Sequence, residues 1–147
     1  MHLFEFLLRD FINSERLAHK DSLIVLHDCC PTSVEMTERE HRPDERLDQR
    51  TKTLWTGDVW KLLPILRQYR PALKQIVLDC PPTGLVLVAN LDPHSNVLKA
   101  SYPEIIQTFA TLGLEDYGLE RFRAEFSPLD SRSLVDSRAL KRLLRSP

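Results

Sequence analysis

Apolar side chains recur every three or four positions at the start of the chain, which is the spacing of one face of an α-helix. The positions are Leu3, Phe4, Leu7, Leu8, Phe11 and Ile12. Charged and amide side chains fill the opposite face, so the pattern predicts an amphipathic helix. No capping residue and no strand precede this helix, which makes its start unusually abrupt for a native domain.

The next apolar segment, residues 22–26, is a continuous run in which hydrophobic and polar positions do not alternate. Such a run is typical of a strand covered on both faces, as in the parallel sheet of an α/β protein. We therefore predict a buried strand that has neighbours on both sides. The run ends in His27 and Asp28, and ligands bind at the carboxyl ends of strands in open α/β sheets.

A highly charged segment follows, within residues 33–54. Eleven of the eighteen residues from 35 to 52 are Asp, Glu, Lys or Arg. We interpret this segment as a solvated insertion that serves as a lid or binding loop. A plain disordered insertion is the alternative interpretation.

A second helix is predicted after residues 55–58, with Trp60, Leu63 and Leu66 in its buried stripe. Pro64 lies inside this stripe. It predicts either a kink in the helix or a helix that begins only a few residues earlier.

Two further strands are predicted at residues 75–78 and 85–89. The Pro- and Gly-containing link between them is too short for a crossover helix, so the two strands should form an antiparallel hairpin. The remaining residues have helical patterns. The fold class that follows is α/β, with only part of a larger sheet present, flanking helices and a helical C-terminal tail.

Composition and charge narrow the possible partners. The 147 residues amount to about one domain. Twenty Lys and Arg balance 21 Asp and Glu, so the net charge of -1 favours no nucleic-acid partner. No apolar run approaches the roughly 18 residues of a spanning helix, and we expect no membrane partner. Three cysteines, including the adjacent pair Cys29 and Cys30, favour reduced thiols and a cytoplasmic location.

His27 and Asp28 are the strongest candidates for chemistry, because a carboxylate beside an imidazole can bind a metal or hold a substrate proton. The alternative is that both side chains only satisfy local backbone groups in a turn. His2 could reach the same edge of the sheet. A metal-dependent hydrolase that uses His27 and Asp28 is a weaker interpretation, since no spacing supplies further ligands.

Two tryptophans close in sequence define a second candidate region. Trp55, Asp58 and Trp60 could line a substrate pocket. They could equally form a hydrophobic staple that holds the charged segment to the helix, with Asp58 as a helix cap.

Several segments together resemble one protein family. They are MHLFEF at 1–6, IVLHDC at 24–29, WTGDVWK at 55–61, LRQYRP at 66–71, PTGL at 82–85 and NLDP at 90–93. In this order they resemble the C-terminal half of bacterial class I S-adenosylmethionine-dependent methyltransferases, in a branch often encoded near sugar and surface-polysaccharide genes. The resemblance covers residues 1–98, and residues 99–147 form a helical C-terminal extension.

The resemblance implies a fold and an activity. The three strands would be strands five to seven of a Rossmann-like sheet, the last two being its antiparallel hairpin. The activity would be methyl transfer from S-adenosylmethionine to a small hydroxylated acceptor, such as a sugar. His27, Asp28 and His2 would position or deprotonate the acceptor. Asp28 would also hold the position that binds a divalent metal in catechol-type O-methyltransferases.

The resemblance also implies that strands one to four and the Gly-rich cofactor loop would precede residue 1. On this interpretation the chain alone is inactive and leaves one edge of its sheet open, which predicts a homo-oligomer. The alternative function is a non-catalytic, truncated remnant that acts as an oligomeric or partner-binding module.

Overall fold

The computed structural model describes residues 2–46, 52–134 and 136–145, which form an α/β arrangement. The helices and strands of the first part are α1 (Phe4–Arg16), β1 (Ile24–His27), α2 (Leu62–Tyr69), β2 (Lys74–Leu78) and β3 (Leu85–Ala89). Those of the second part are α3 (Val97–Ala100), α4 (Tyr102–Phe109), α5 (Leu114–Tyr117), α6 (Leu119–Glu125) and α7 (Ser137–Arg145).

The first two helices match the apolar periodicity of the sequence. On α1, Phe4, Leu8 and Phe11 are buried, as the spacing predicts. The second helix, α2, is entered through a 3₁₀ turn at Val59–Lys61. Pro64 is its third residue and so lies in the first turn, where a backbone N–H would have no partner within the helix. Of the two interpretations of Pro64, the helix that begins just before it is confirmed.

The sheet has the order β1-β3-β2, and both pairs of strands are antiparallel. The predicted hairpin of β2 and β3 is therefore confirmed. In register, Leu26 lies opposite Val86, and Val86 lies opposite Val77 on the other side. These side chains point into the main core against α1 and α2.

The prediction of a doubly covered strand in a parallel sheet is wrong for β1. Among the described residues β1 pairs with β3 alone, and it is antiparallel to it. Leu26 is buried, whereas Val25 on the opposite face is 54% exposed. The second face of the sheet is covered by leucines of α7 that pack on Ile76, Leu78 and Leu87, and this cover does not bury Val25.

Residues on both sides of position 98 share one hydrophobic core. Ile105, Phe109 and Phe122 belong to the same buried cluster as Phe4 and Leu8. The sequence boundary at 98 therefore does not separate two hydrophobic cores.

The charged segment is docked more closely than its composition predicts. Met36 is fully buried, and its backbone oxygen accepts hydrogen bonds from the backbone and the hydroxyl of Thr56. Arg39 forms ion pairs with Glu5 and Asp58. A uniformly solvated excursion is thus wrong for residues 34–39. Residues 47–51 of this segment lie outside the described residues.

Candidate functional site

The carboxylate of Asp28 contacts both histidines that were predicted to lie near the end of β1. His2 Nε2 lies 3.1 Å from Asp28 Oδ2, and His27 Nδ1 lies 3.1 Å from Asp28 Oδ1. Asp28 has a φ of 62°, in the left-handed region that Asp tolerates better than most residues. This backbone conformation lets the chain turn at the strand end. The three candidate residues thus form one cluster.

Thr83 completes the cluster and was not singled out from the sequence. Its hydroxyl donates a hydrogen bond to Asp28 Oδ1 at 2.5 Å, and its side chain is buried. The antiparallel register explains the contact, because His27 lies opposite Leu85 and the turn before Leu85 therefore faces Asp28. A pairing of β1 with β3 would have located Thr83, but the sequence analysis paired β3 only with β2.

Close packing of two chain segments holds His2 in place. The backbone nitrogen of Asp58 donates a hydrogen bond to the His2 oxygen at 3.1 Å. Gly57 has a φ of 55°, and a Cβ at this position would lie 1.8 Å from the same oxygen. The ring of Trp55 meets the His2 ring edge-on, with centroids 4.8 Å apart. Only glycine therefore allows this approach at position 57.

The two imidazoles differ in exposure. The His2 side chain is 38% exposed, yet its Nδ1 atom is buried and has no hydrogen-bond partner among the described residues. The His27 side chain is 59% exposed. When His27 Nδ1 carries the proton and donates to Asp28, Nε2 holds a lone pair. His27 is therefore the imidazole of the pair that a ligand from solvent can reach, and it is oriented by a carboxylate.

The interpretation of Asp58 as a cap of the helix that follows it is wrong, because its carboxylate binds other groups. Its side chain is 3% exposed, and Oδ2 accepts hydrogen bonds from Lys61 Nζ at 2.9 Å and from Arg39. Oδ1 accepts one from the backbone nitrogen of Phe4 at 2.9 Å. Asp58 therefore caps α1, and its side chain makes no capping hydrogen bond to the 3₁₀ turn and helix that follow it.

Trp60 is wholly buried and packs edge-on against Tyr117 and Phe122, with ring centroids 5.4 and 5.7 Å away. A cavity of about 390 Å³ borders Asp58 and Trp60 but not Trp55. The structure thus brings two of the three predicted pocket residues together. Trp55 lies instead against His2 and His41, near the Asp28 cluster.

The described residues include no Gly-rich turn of the kind that the resemblance implies for S-adenosylmethionine. The chain has four isolated glycines, at 57, 84, 113 and 118. Gly57 is closed off by His2, and a Cβ on Gly84 would lie 2.6 Å from Cys30 Cβ. These two tight turns are therefore filled by protein atoms and offer no cradle for the cofactor. Among the described residues, no three His, Cys, Asp or Glu side chains are grouped to hold a metal ion.

The cysteines near this site are poorly suited to nucleophilic chemistry. All three described cysteines are free thiols. Burial raises the pKa of Cys29 well above its usual range, with smaller contributions from Cys30 and Asp28. Burial and the neighbouring Cys80 raise the pKa of Cys30 to about 12. Since the thiolate is the reactive form, Cys29 and Cys30 are packing residues.

The chain matches no protein-family model, no curated protein and no solved structure. Within the described part of the chain, every helix is too short or too polar to cross a membrane.

Proposed function

We propose that the end of β1 is an acid–base site in which His27 takes a proton from a hydroxyl group of a small-molecule acceptor. The observation that carries this proposal is the 3.1 Å contact of His27 Nδ1 with Asp28 Oδ1, on an imidazole that is more than half exposed. A histidine oriented in this way presents Nε2 to the acceptor.

The proton moves from the acceptor oxygen to His27 Nε2 and later passes to water. Asp28 stabilises the imidazolium that forms, because its negative charge lies 3.1 Å from Nδ1. Thr83 and His2 hold Asp28 from two sides, which fixes the direction of the carboxylate. Thr83 and His2 are therefore positioning residues.

The resemblance to methyltransferases favours methyl transfer as the reaction that the deprotonated oxygen enters, with a sugar-like hydroxyl compound as acceptor. The described residues include no Gly-rich loop for S-adenosylmethionine, so our proposal for this chain concerns the acceptor side alone. A divalent metal on Asp28 receives no support from the geometry, since protein groups contact both carboxylate oxygens.

Nitrogen-detected NMR of the imidazoles tests the acid–base proposal. We expect His27 to carry its proton on Nδ1, and we expect Asp28→Asn to redistribute it between the two nitrogens. The exposed His94 serves as the control and should not change. A His27 that is protonated on Nε2 in the native protein would contradict the proposal.

Titration with S-adenosylhomocysteine tests the methyltransferase assignment. The geometry favours no saturable binding by the isolated chain. Saturable binding would show that the donor site lies on this chain or across a dimer of it, and would contradict our restriction to the acceptor side.

A second candidate is an oligomeric module. The observation that favours it is the edge position of β1, which pairs with β3 alone among the described residues and carries the exposed Val25 on one face. Light scattering should then give a mass above that of the monomer, and Val25→Lys should restore the monomer. A monomeric native protein would eliminate this candidate.

A further inference from the structure

A second cavity lies along the part of α1 that is farther from Asp28. It measures about 560 Å³ and is bordered by α1, the loop after β3 and the first residues of α3 and α4. Its polar lining is made by Arg9, Asn13, Arg16, His94, Ser95, Asn96 and Lys99. Its less polar surface comes from Ile12, Pro93, Tyr102 and Pro103.

The lining has three permanent cations and no carboxylate. The side chains of Arg16 and Lys99 form no ion pair or hydrogen bond with any residue that the structure describes. The guanidinium of Arg9 lies 4.7 Å from the centroid of the Phe6 ring, which leaves its donors open to a ligand. Among the described residues, no carboxylate lines the cavity to pair with these cations.

Two carboxylates that adjoin lining residues in sequence, those of Glu15 and Asp92, make hydrogen bonds outside the cavity lining or shape its loop. Glu15 Oε2 accepts a hydrogen bond from Arg70 at 2.5 Å, and Glu15 Oε1 accepts one from the backbone of Asp92 at 3.1 Å. Asp92 Oδ1 in turn accepts a bond from the backbone nitrogen of His94 at 2.9 Å. These bonds shape the loop that closes the cavity.

The spacing along α1 sets the length of a ligand. Arg9 and Arg16 are seven residues apart, which is two helical turns and about 10 Å on the same face. Asn13 lies between them. The ring of Tyr102 is fixed at the edge of the cavity, because its hydroxyl donates to the backbone oxygen of Glu5 at 3.1 Å.

We propose that this cavity binds a small phosphorylated metabolite of nucleotide or sugar-phosphate size. Arginine and lysine form charge-assisted hydrogen bonds to phosphate oxygens. A volume of about 560 Å³ lies in the range of small-molecule sites. The phosphate faces Arg16 and Lys99, and the body of the ligand lies against Ile12 and Tyr102. This inference does not depend on the acid–base site at Asp28.

The distribution of charge favours a small molecule over a nucleic acid. The whole chain carries a net charge of -1, whereas a nucleic-acid surface presents an extended basic stripe. Arg9, Arg16 and Lys99 instead border one cavity.

Calorimetric titration of the full chain with adenosine 5′-monophosphate tests the proposal, with adenosine as the uncharged probe. We expect saturable binding of the monophosphate and much weaker binding of adenosine. The paired variant Arg16→Gln with Lys99→Gln should weaken binding by at least about tenfold, because it removes both cations that face the phosphate. The matched control is Lys141→Gln with Arg142→Gln on α7, which removes the same charge elsewhere.

Each outcome of these titrations supports or overturns the proposed phosphate site. The site is supported if the cavity variant, Arg16→Gln with Lys99→Gln, loses binding of the monophosphate while the α7 variant keeps it. An equal loss in both variants would overturn it as a general charge effect. Equal affinity for adenosine, or no saturable binding of either probe by the folded protein, would also overturn it. If a single-stranded oligonucleotide binds more tightly than the monophosphate, and the cavity variant abolishes this binding, the cavity is a nucleic-acid site instead.

Discussion

Asp58 Oδ1 accepts a hydrogen bond from the backbone nitrogen of Phe4 at 2.9 Å, across 54 positions of sequence. Leu3, at the N-cap position of α1, provides no side-chain cap. A carboxylate at a helix N-terminus satisfies an otherwise unpaired N–H and interacts favourably with the helix dipole. The N-terminal cap that α1 lacks in its own sequence is thus supplied by Asp58, a residue on a distant segment.

Asp58→Asn should destabilise the protein strongly. The substitution leaves Lys61 buried without its carboxylate partner, because Lys61 Nζ lies 2.9 Å from Asp58 Oδ2 and both side chains are 3% exposed. Removing one member of a buried ion pair costs roughly 3–5 kcal/mol. Urea unfolding measures the change. Glu40→Gln removes a charge from an exposed ion pair with Arg42 and is the control, which should leave the urea midpoint unchanged. An Asp58→Asn midpoint equal to that of the native protein would contradict the role of Asp58.

Neighbouring substitutions on β1 should have very different effects. Leu26→Asp places an unpaired charge in the main core and should prevent folding, since that cost is several kcal/mol. Val25→Asp lies on the exposed face, where we expect a loss of about 1 kcal/mol or less. Circular dichroism melting distinguishes the two variants. A cooperative melt of Leu26→Asp near the native temperature would show that this face of β1 is not buried.

Gly57→Ala should disturb the Asp28 cluster through His2. A Cβ at position 57 cannot fit beside the His2 backbone oxygen, and a positive φ costs an L-residue about 1–2 kcal/mol in addition. We expect reduced stability and a changed NMR signal of the His2 ring, without any change at the exposed His94.

Gly113→Ala is the matched control, because Gly113 has a negative φ and the nearest atoms to a Cβ there belong to the movable carboxylate of Glu115. An unchanged His2 signal in a folded Gly57→Ala protein would contradict the proposed seating of His2.

The sequence alone located α1, the three strands and the adjacent residues His27 and Asp28, because each of these depends on a local pattern. It could not show that Thr83 contacts Asp28, since this contact follows from the pairing of β1 with β3. The burial of Met36 could not be predicted either, because the charged residues around it indicate a solvated segment. Long-range partners decide such features, and a local pattern does not record them.

The exposure of β1 was also beyond local reasoning. Residues 22–26 have the composition of a doubly covered strand, yet only one face of β1 is covered. The leucines Leu140, Leu143 and Leu144 of α7 cover the second face of the sheet near Ile76 and Leu87. Their periodicity predicts a helix but not the surface on which that helix packs.

Tyr117 should make folding sensitive to alkaline pH. Burial, together with a hydrogen bond and the charge of Glu125, raises the pKa of Tyr117 from 10.0 to about 12. The native state therefore holds this proton more tightly than the unfolded state. The stabilisation is complete below pH 10 and is lost as the pH rises toward about 12. Cys30 acts in the same direction from pH 9 upward, because its pKa is also raised to about 12.

Tyr117→Phe isolates the contribution of the tyrosine. At neutral pH the variant should have a lower free energy of unfolding than the native protein, because Glu125 loses the hydrogen bond from the Tyr117 hydroxyl. Its free energy of unfolding should then fall less steeply than that of the native protein above pH 10, while the slope due to Cys30 stays. Urea unfolding at a series of alkaline pH values measures both slopes. Parallel curves for the two proteins would mean that Tyr117 ionises as readily in the native state as in the unfolded chain.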